Sequence, residues 1–343
     1  MGRHKIQNGH DRMLKLASPI ITTYTQHAHL LSILGGYEPA HGWIYSNYIN
    51  LYSNKYLQES SWADFYFPKP YELRPSDHCE WLTTQKLHRS LIKDHWGEFL
   101  EFLKYAIDHG WYLHLMLDYF HIAGSSHFES SHRIHDALLY GYDLNKGLIY
   151  ACDFLIGTSY GSYSIPIQKI NPAFDDGELS WNSDYLNGIV YLYRLDPDRK
   201  DGFVIENVFR SMKRYLEASV LEYWDMYNFG NQKRIVFGKD YYGALSAYLR
   251  NQPEPEELDL RMFYLLYDHK KMMTRRFDYL TKSGFTDPAI LPSLSEIEGQ
   301  CKTIVNLCLK YKVSRHIKEM NKISDFLKDA EEKEYEVLSK AIG

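Results

Sequence analysis

The stretch from Trp111 to Ser164 constrains the fold most. Trp111 to Tyr119 is an apolar, aromatic run of strand length. A polar loop rich in Gly, Ser and His follows from His121 to Arg133. His135 to Asp143 (HDALLYGYD) then faces Leu148 to Phe154 across a turn at Leu144-Asn145-Lys146-Gly147. Asn and Gly between two β-rich runs are a hairpin signal. Tyr160 to Ile165 alternates and supplies a fourth strand.

The chemistry of this stretch lies in the hairpin. His135 opens one strand and Asp153 ends the next, so the turn sets them roughly opposite. Cross-strand Cβ atoms stand about 5 Å apart. An aspartate there accepts a hydrogen bond from the imidazole, fixes its tautomer and raises its basicity. A base and its orienter normally serve a nucleophile from elsewhere in the chain. The alternative is a structural hydrogen bond at a sheet edge. Asp143 is the other acidic choice, but in the turn it suits a side-chain-to-backbone bond.

Elsewhere the pattern is mixed. Residues 1 to 17 read as a loose arm, and Pro19 to Tyr24 as extended chain. Thr25 to Leu34 reads as a helix stopped by Gly35-Gly36. A helix start favours an anion, which makes Thr25 the first candidate nucleophile; its alternative role is an N-cap. Residues 37 to 80 read as irregular, broken by Pro68, Pro70 and Pro75. Thr84 to His109 reads as one long helix, with Trp96, Phe99, Leu100, Leu103 and Ile107 on one stripe and Gly110 ending it. Asn171 to Trp181 reads as a loop and Leu186 to Leu195 as a strand. Helices are expected over Phe203–Ser219, Tyr241–Asn251, Glu257–Ser283, Ser293–Lys312 and Val313–Ile342, with a Gly/Asn/Lys-rich loop after the first. The Asp268-His269-Lys270-Lys271 run reads as a solvated helix face. The expectation is an α+β chain with a first unit at 1–200 and a helical region at 201–343.

Composition narrows the function. The chain has 343 residues, is 45% hydrophobic and carries a net charge of -5. That charge argues against binding driven by nucleic-acid phosphates. No apolar run is long enough to span a membrane. The start MGRHKIQNGH lacks a signal-peptide core, and Ile6 stands where a myristoylation motif wants Ser or Thr. The four cysteines are Cys79, Cys152, Cys301 and Cys308. Their scattered placement, with no CxxC, points to free thiols and a cytoplasmic setting. Cys152 reads as a small core residue, and Cys301 and Cys308 share one helix face. His109, His114, His121, His127, His132 and His135 crowd one region without HExxH spacing, so neither a metal nor a diffusible cofactor is expected.

The order of helix start, His on a strand, then Asp on the next is that of papain-like cysteine enzymes. HDALLYGYD with Tyr150-Ala151-Cys152-Asp153 resembles the His/Asp half of the bacteriocin-processing peptidases. It resembles more closely that of the butirosin biosynthesis protein H group of acyltransferases. Leu266 to Leu280 (LYDHKKMMTRRFDYL) resembles a segment of that group's helical second half. The resemblance implies a papain-like core, an N-terminal helix packed on an antiparallel sheet, followed by a mostly helical half. It implies acyl transfer from a phosphopantetheine thioester on an acyl or peptidyl carrier protein to a small amine, with His135 as base and Asp153 as orienter. The departure is that residues 1 to 78 contain no cysteine. Thr25 stands near the nucleophile position, and Cys79 is the back-up as the only cysteine before His135. A catalytically inactive carrier- or peptide-binding protein and a peptide hydrolase or cyclase are the alternative expectations.

Overall fold

The computed structural model describes residues 10–67, 75–155, 159–176, 186, 188–200, 202–219, 234–251 and 253–342. In chain order the elements begin with β1 (Asp11–Met13), α1 (Thr25–Leu34), α2 (His41–Ser46), β2 (Asn50–Asn54), β3 (Ala63–Tyr66) and β4 (Leu82–His88). There follow α3 (Arg89–Trp96), α4 (Phe99–Asp108), β5 (Tyr112–Asp118), β6 (Ile134–Asp143), β7 (Leu148–Asp153), β8 (Gly161–Pro166), α5 (Ile167–Asp176) and β9 (Ile189–Leu195). The helical half holds α6 (Ile205–Glu217), β10 (Ile235–Phe237), α7 (Asp240–Arg250), α8 (Leu260–Lys282), α9 (Leu291–Ser314) and α10 (Ile317–Ile342). The chain is α+β. No described helix is long and apolar enough to cross a membrane.

Two compact units form. The first comprises residues 1–38 and 79–199, the second 39–78 and 200–343. Residues 39–78, placed in the first half by the sequence reading, thus group with the C-terminal helices.

The first unit is built on an antiparallel sheet in the order β4-β9-β5-β6-β7-β8, with β1 pairing the far end of β6. Strand alternation gives this sheet two different faces. Leu113, Leu115 and Leu117 of β5, Ala137 and Leu139 of β6, and Val190 and Leu192 of β9 join one apolar core. That core also takes Phe102, Leu103 and Ile107 of α4 and Phe174 of α5. The opposite face carries His114, Asp136 and Cys152, each at a position between those core residues. There α1 contacts β6 and β7. Register shifts between Leu139 and Gly141. Gly141 is required because a Cβ would stand 2.8 Å from the Arg12 carbonyl oxygen of β1.

Several sequence expectations fail here. Thr84 to His109 is not one helix: Leu82–His88 pairs with β9, and α3 and α4 are separated at Gly97, whose φ is 72°. The Thr-rich, alternating run LTTQKLH satisfies its backbone in a ladder instead. Residues 167–176, in part read as loop, form α5 despite Pro172. Asp11–Met13, in the expected loose arm, forms a strand. The rest of the arm (1–9), Pro68, Pro70 and the loop at 220–233 lie outside the described residues.

The second unit contains a small antiparallel sheet, order β10-β2-β3, where the sequence suggested irregular chain. Val208, Met212, Tyr215, Met273, Phe277, Leu280, Leu294 and Leu338 form an apolar core among α6, α8, α9 and α10. Asp268, His269 and Lys270 of α8 are at most 1% exposed. The expected solvated face is therefore interior. Cys301 and Cys308 are core, as their spacing implied.

Candidate active site at the hairpin end

His135 lies near the start of β6 and Asp153 at the end of β7. Leu138 faces Cys152, so Asp153 stands one position beyond that pair and His135 three. The two are diagonal rather than opposite, a separation an imidazole can span. His135 Nδ1 is 2.8 Å from Asp153 Oδ2. Tyr119, just past β5, donates its hydroxyl to the same oxygen and lies 3.3 Å from His135 Nδ1. The backbone N–H of Phe154 donates to Asp153 Oδ1 at 2.6 Å. With Asp153 buried and accepting, Nδ1 carries a proton, and in the neutral ring Nε2 carries the lone pair. Nε2 makes no hydrogen bond among the described residues, and the side chain is 31% exposed.

Burial opposes protonation of His135, but the hydrogen bond and charge of Asp153 outweigh it and raise the ring to about 9. Burial, reinforced by the nearby Asp136 charge, pushes the Asp153 carboxyl up, and His135 offsets this in part. The direction that governs the pair is the imidazole's, because its exposed edge keeps water contact for the cation. Burial and the Asp153 charge drive the Tyr119 hydroxyl far above its usual range, so it remains a donor.

The opposite face carries a second, fully buried group. Asp136 Oδ2 is 3.1 Å from His114 Nε2 and 3.7 Å from His29 Nε2. Tyr193 OH lies 3.2 Å from His114 Nδ1, and Tyr160 OH 2.9 Å from His29 Nδ1. Tyr160 OH also lies 2.9 Å from Cys152 Sγ. Asp136 Oδ1 is 3.3 Å from His135 Nδ1, which links the two faces. Burial would raise the Asp136 carboxyl, but the hydrogen bond from His114 and the adjacent His29 ring hold it well below its usual range.

The loop after β5 is tied at its base. Asp118 accepts from the backbone N–H groups of Phe120 and Arg133, each at 3.0 Å, and meets His132 Nδ1 at 2.5 Å. His121 Nε2 reaches Asp176 at 2.6 Å.

The remaining expected residues fall elsewhere. Thr25 is the first residue of α1 and makes no hydrogen bond to His135 or Asp153. It is not the N-cap either, since Tyr24 holds that position. The α1 residue that reaches the sheet chemistry is His29, one turn later. Cys79 is buried, and burial pushes its thiol up to about 12. It therefore offers no thiolate near neutral pH. A groove of about 650 Å³ in the second unit is lined by Phe209, Phe285, Ile290 and Val337 with Lys333 and Lys340. It contains none of these histidines.

Sequence reading missed the His29–His114–Asp136 convergence. The signal was a polar residue inside each of three apolar segments: His29 in α1, His114 in YLHLMLD and Asp136 in IHDALL. No protein-family model matches the chain, and no curated protein matches it.

Proposed function

We propose that the first unit is a papain-like acyltransferase site that forms amides from a carrier-bound acyl thioester, as in bacterial natural-product biosynthesis. The observation carrying this reading is His135 oriented at 2.8 Å by Asp153 with Nε2 turned outward and unbonded. His135 is the base and Asp153 its orienter. Tyr119 holds the same carboxylate oxygen and positions the pair. Because Thr25 makes no bond to His135, the transfer runs directly to the amine without an acyl-enzyme. The amine nitrogen bonds to the thioester carbonyl carbon while Nε2 of the neutral His135 ring, whose share grows as pH rises toward about 9, accepts its proton. The carbon–sulfur bond then breaks, and the same ring returns the proton to the departing pantetheine thiolate. Amide and free thiol are the products.

The unengaged Thr25 also supports a second reading, a non-catalytic protein that binds the carrier or a peptide. One experiment separates the two. Release of free thiol from acyl-pantetheine is followed with a small amine present, in the unaltered protein and in His135→Ala. Loss of release with unchanged circular dichroism supports the enzyme. Equal release in both proteins overturns the base assignment, and no release from either favours the binding protein.

A further inference from the structure

We infer that His29, His114 and Asp136 bind a divalent first-row transition-metal ion. The inference goes beyond the acyl-transfer reading and does not rest on it. The three residues come from different elements, α1, β5 and β6, and converge on the sheet face opposite the apolar core. Their ligand atoms lie within 4.8 Å of one another. Each residue is at most 2% exposed.

Ligand spacing supports coordination. Zinc–nitrogen bonds of 2.0–2.1 Å in a tetrahedron set ligand atoms about 3.3 Å apart. Asp136 Oδ2 stands 3.1 Å from His114 Nε2 and 3.7 Å from His29 Nε2, on either side of that value. The second observation is His29 Nε2 itself. It is buried without a hydrogen-bond partner, and 3.7 Å is too long for one. An unbonded ring nitrogen aimed at a carboxylate in a dry interior is costly for the protein alone. An ion between them satisfies both atoms.

The outer contacts have the form metal sites require. Ligating histidines are generally fixed through their other ring nitrogen. Here Tyr160 OH holds His29 Nδ1 and Tyr193 OH holds His114 Nδ1, so both Nε2 atoms face Asp136. Two imidazoles and one carboxylate suit zinc or ferrous iron and leave a further coordination position. The buried Asp118 and the partly exposed His121 and Asp176 form a different group, but His121 Nε2 is already hydrogen-bonded to Asp176.

The test is titration of the chelator-stripped full chain with Zn2+ by calorimetry, and with Co2+ by visible absorption. The site predicts one tight equivalent of Zn2+ and a cobalt spectrum with nitrogen-ligand bands. His29→Gln and Asp136→Asn abolish that equivalent. Tyr193→Phe keeps the fold and weakens it about tenfold. His121→Ala leaves it in place. Absence of a stoichiometric equivalent in the unaltered chain overturns the inference. So does an equivalent that survives Asp136→Asn or disappears with His121→Ala. If His29→Gln or Asp136→Asn does not fold, the Tyr193→Phe and His121→Ala pair decides. Failed thiol release leaves these outcomes unaffected, and failed metal binding leaves the His135 reading standing.

Discussion

Both units bury charged clusters, yet the two are built to different ends. In the second unit Lys270 Nζ reaches Glu334 at 2.6 and 2.7 Å, Tyr215 OH at 2.9 Å and His269 Nδ1 at 3.0 Å. His269 Nε2 donates to the Ile49 carbonyl at 2.8 Å, and Tyr215 donates to Glu334 at 2.9 Å. The three ammonium protons have three acceptor residues, and the ring nitrogens are both used. In the first unit His135 Nε2 faces outward without a hydrogen bond, and His29 Nε2 is buried without one. A closed ionic network fixes a core, and unfilled valences mark where a ligand or substrate proton fits. Burial of charge alone does not distinguish the two.

Substitutions sharpen this contrast. The largest effect is expected at His135. His135→Gln keeps a donor for Asp153, so denaturant unfolding should place its stability within about 1 kcal/mol of the unaltered protein. Its thioester turnover should fall about 10²–10⁴-fold, the worth of a general base. Next comes the closed cluster. Lys270→Ala leaves Glu334 as an unpaired buried charge and should cost about 3–5 kcal/mol in urea unfolding without touching the chemistry of the first unit. Lys270→Met combined with Glu334→Leu should recover most of that loss, because the matched apolar pair removes both desolvation costs. Failure of the double variant to recover would mean the cluster does more than fill space. Tyr119→Phe removes one bond to the Asp153 carboxylate. Turnover should drop about tenfold with KM unchanged, as for a charge-assisted bond of roughly 1.5 kcal/mol.

The smallest effect is a pH dependence of the second cluster. Burial, and then the Lys270 charge, hold His269 well below the ordinary histidine value. The unfolded chain therefore takes up a proton near pH 6.5 that the folded chain refuses. The contribution is present above that pH and is lost as pH falls, by about 1 kcal/mol between pH 6.5 and 5.5. Urea midpoints across that range should slope accordingly, and His269→Gln should flatten the slope.

How much of this was written in the sequence depends on distance along the chain. The hairpin from His135 to Asp153 was legible, because alternation and a turn are local signals. Its register was legible only approximately, since the shift at Gly141 depends on β1, more than a hundred residues earlier. The second unit's sheet was not legible. Its strand β10 pairs with β2 across a long stretch of chain, and no local period reports that. Thr84–His88 misled because α3 begins directly after it and leads into the apolar stripe from Trp96 to Ile107, most of it in α4. The DHKK run misled for another reason. Composition says that charges prefer water, whereas Glu334, far along in α10, supplies the partner that lets Lys270 stay inside. His29 was passed over in favour of Thr25, because a helix start is visible in sequence and the face that packs on a sheet is not.

The most direct test combines thiol release with intact-protein mass spectrometry. The full chain is mixed with a panel of acyl-pantetheine thioesters and a small amine, beside His135→Gln. The expected result is thioester consumption and amide formation with no acyl adduct on the protein, both lost in the variant. An adduct mapped to Thr25 or Cys79 would contradict direct transfer, and consumption undiminished in His135→Gln would contradict the role of the His135–Asp153 pair itself.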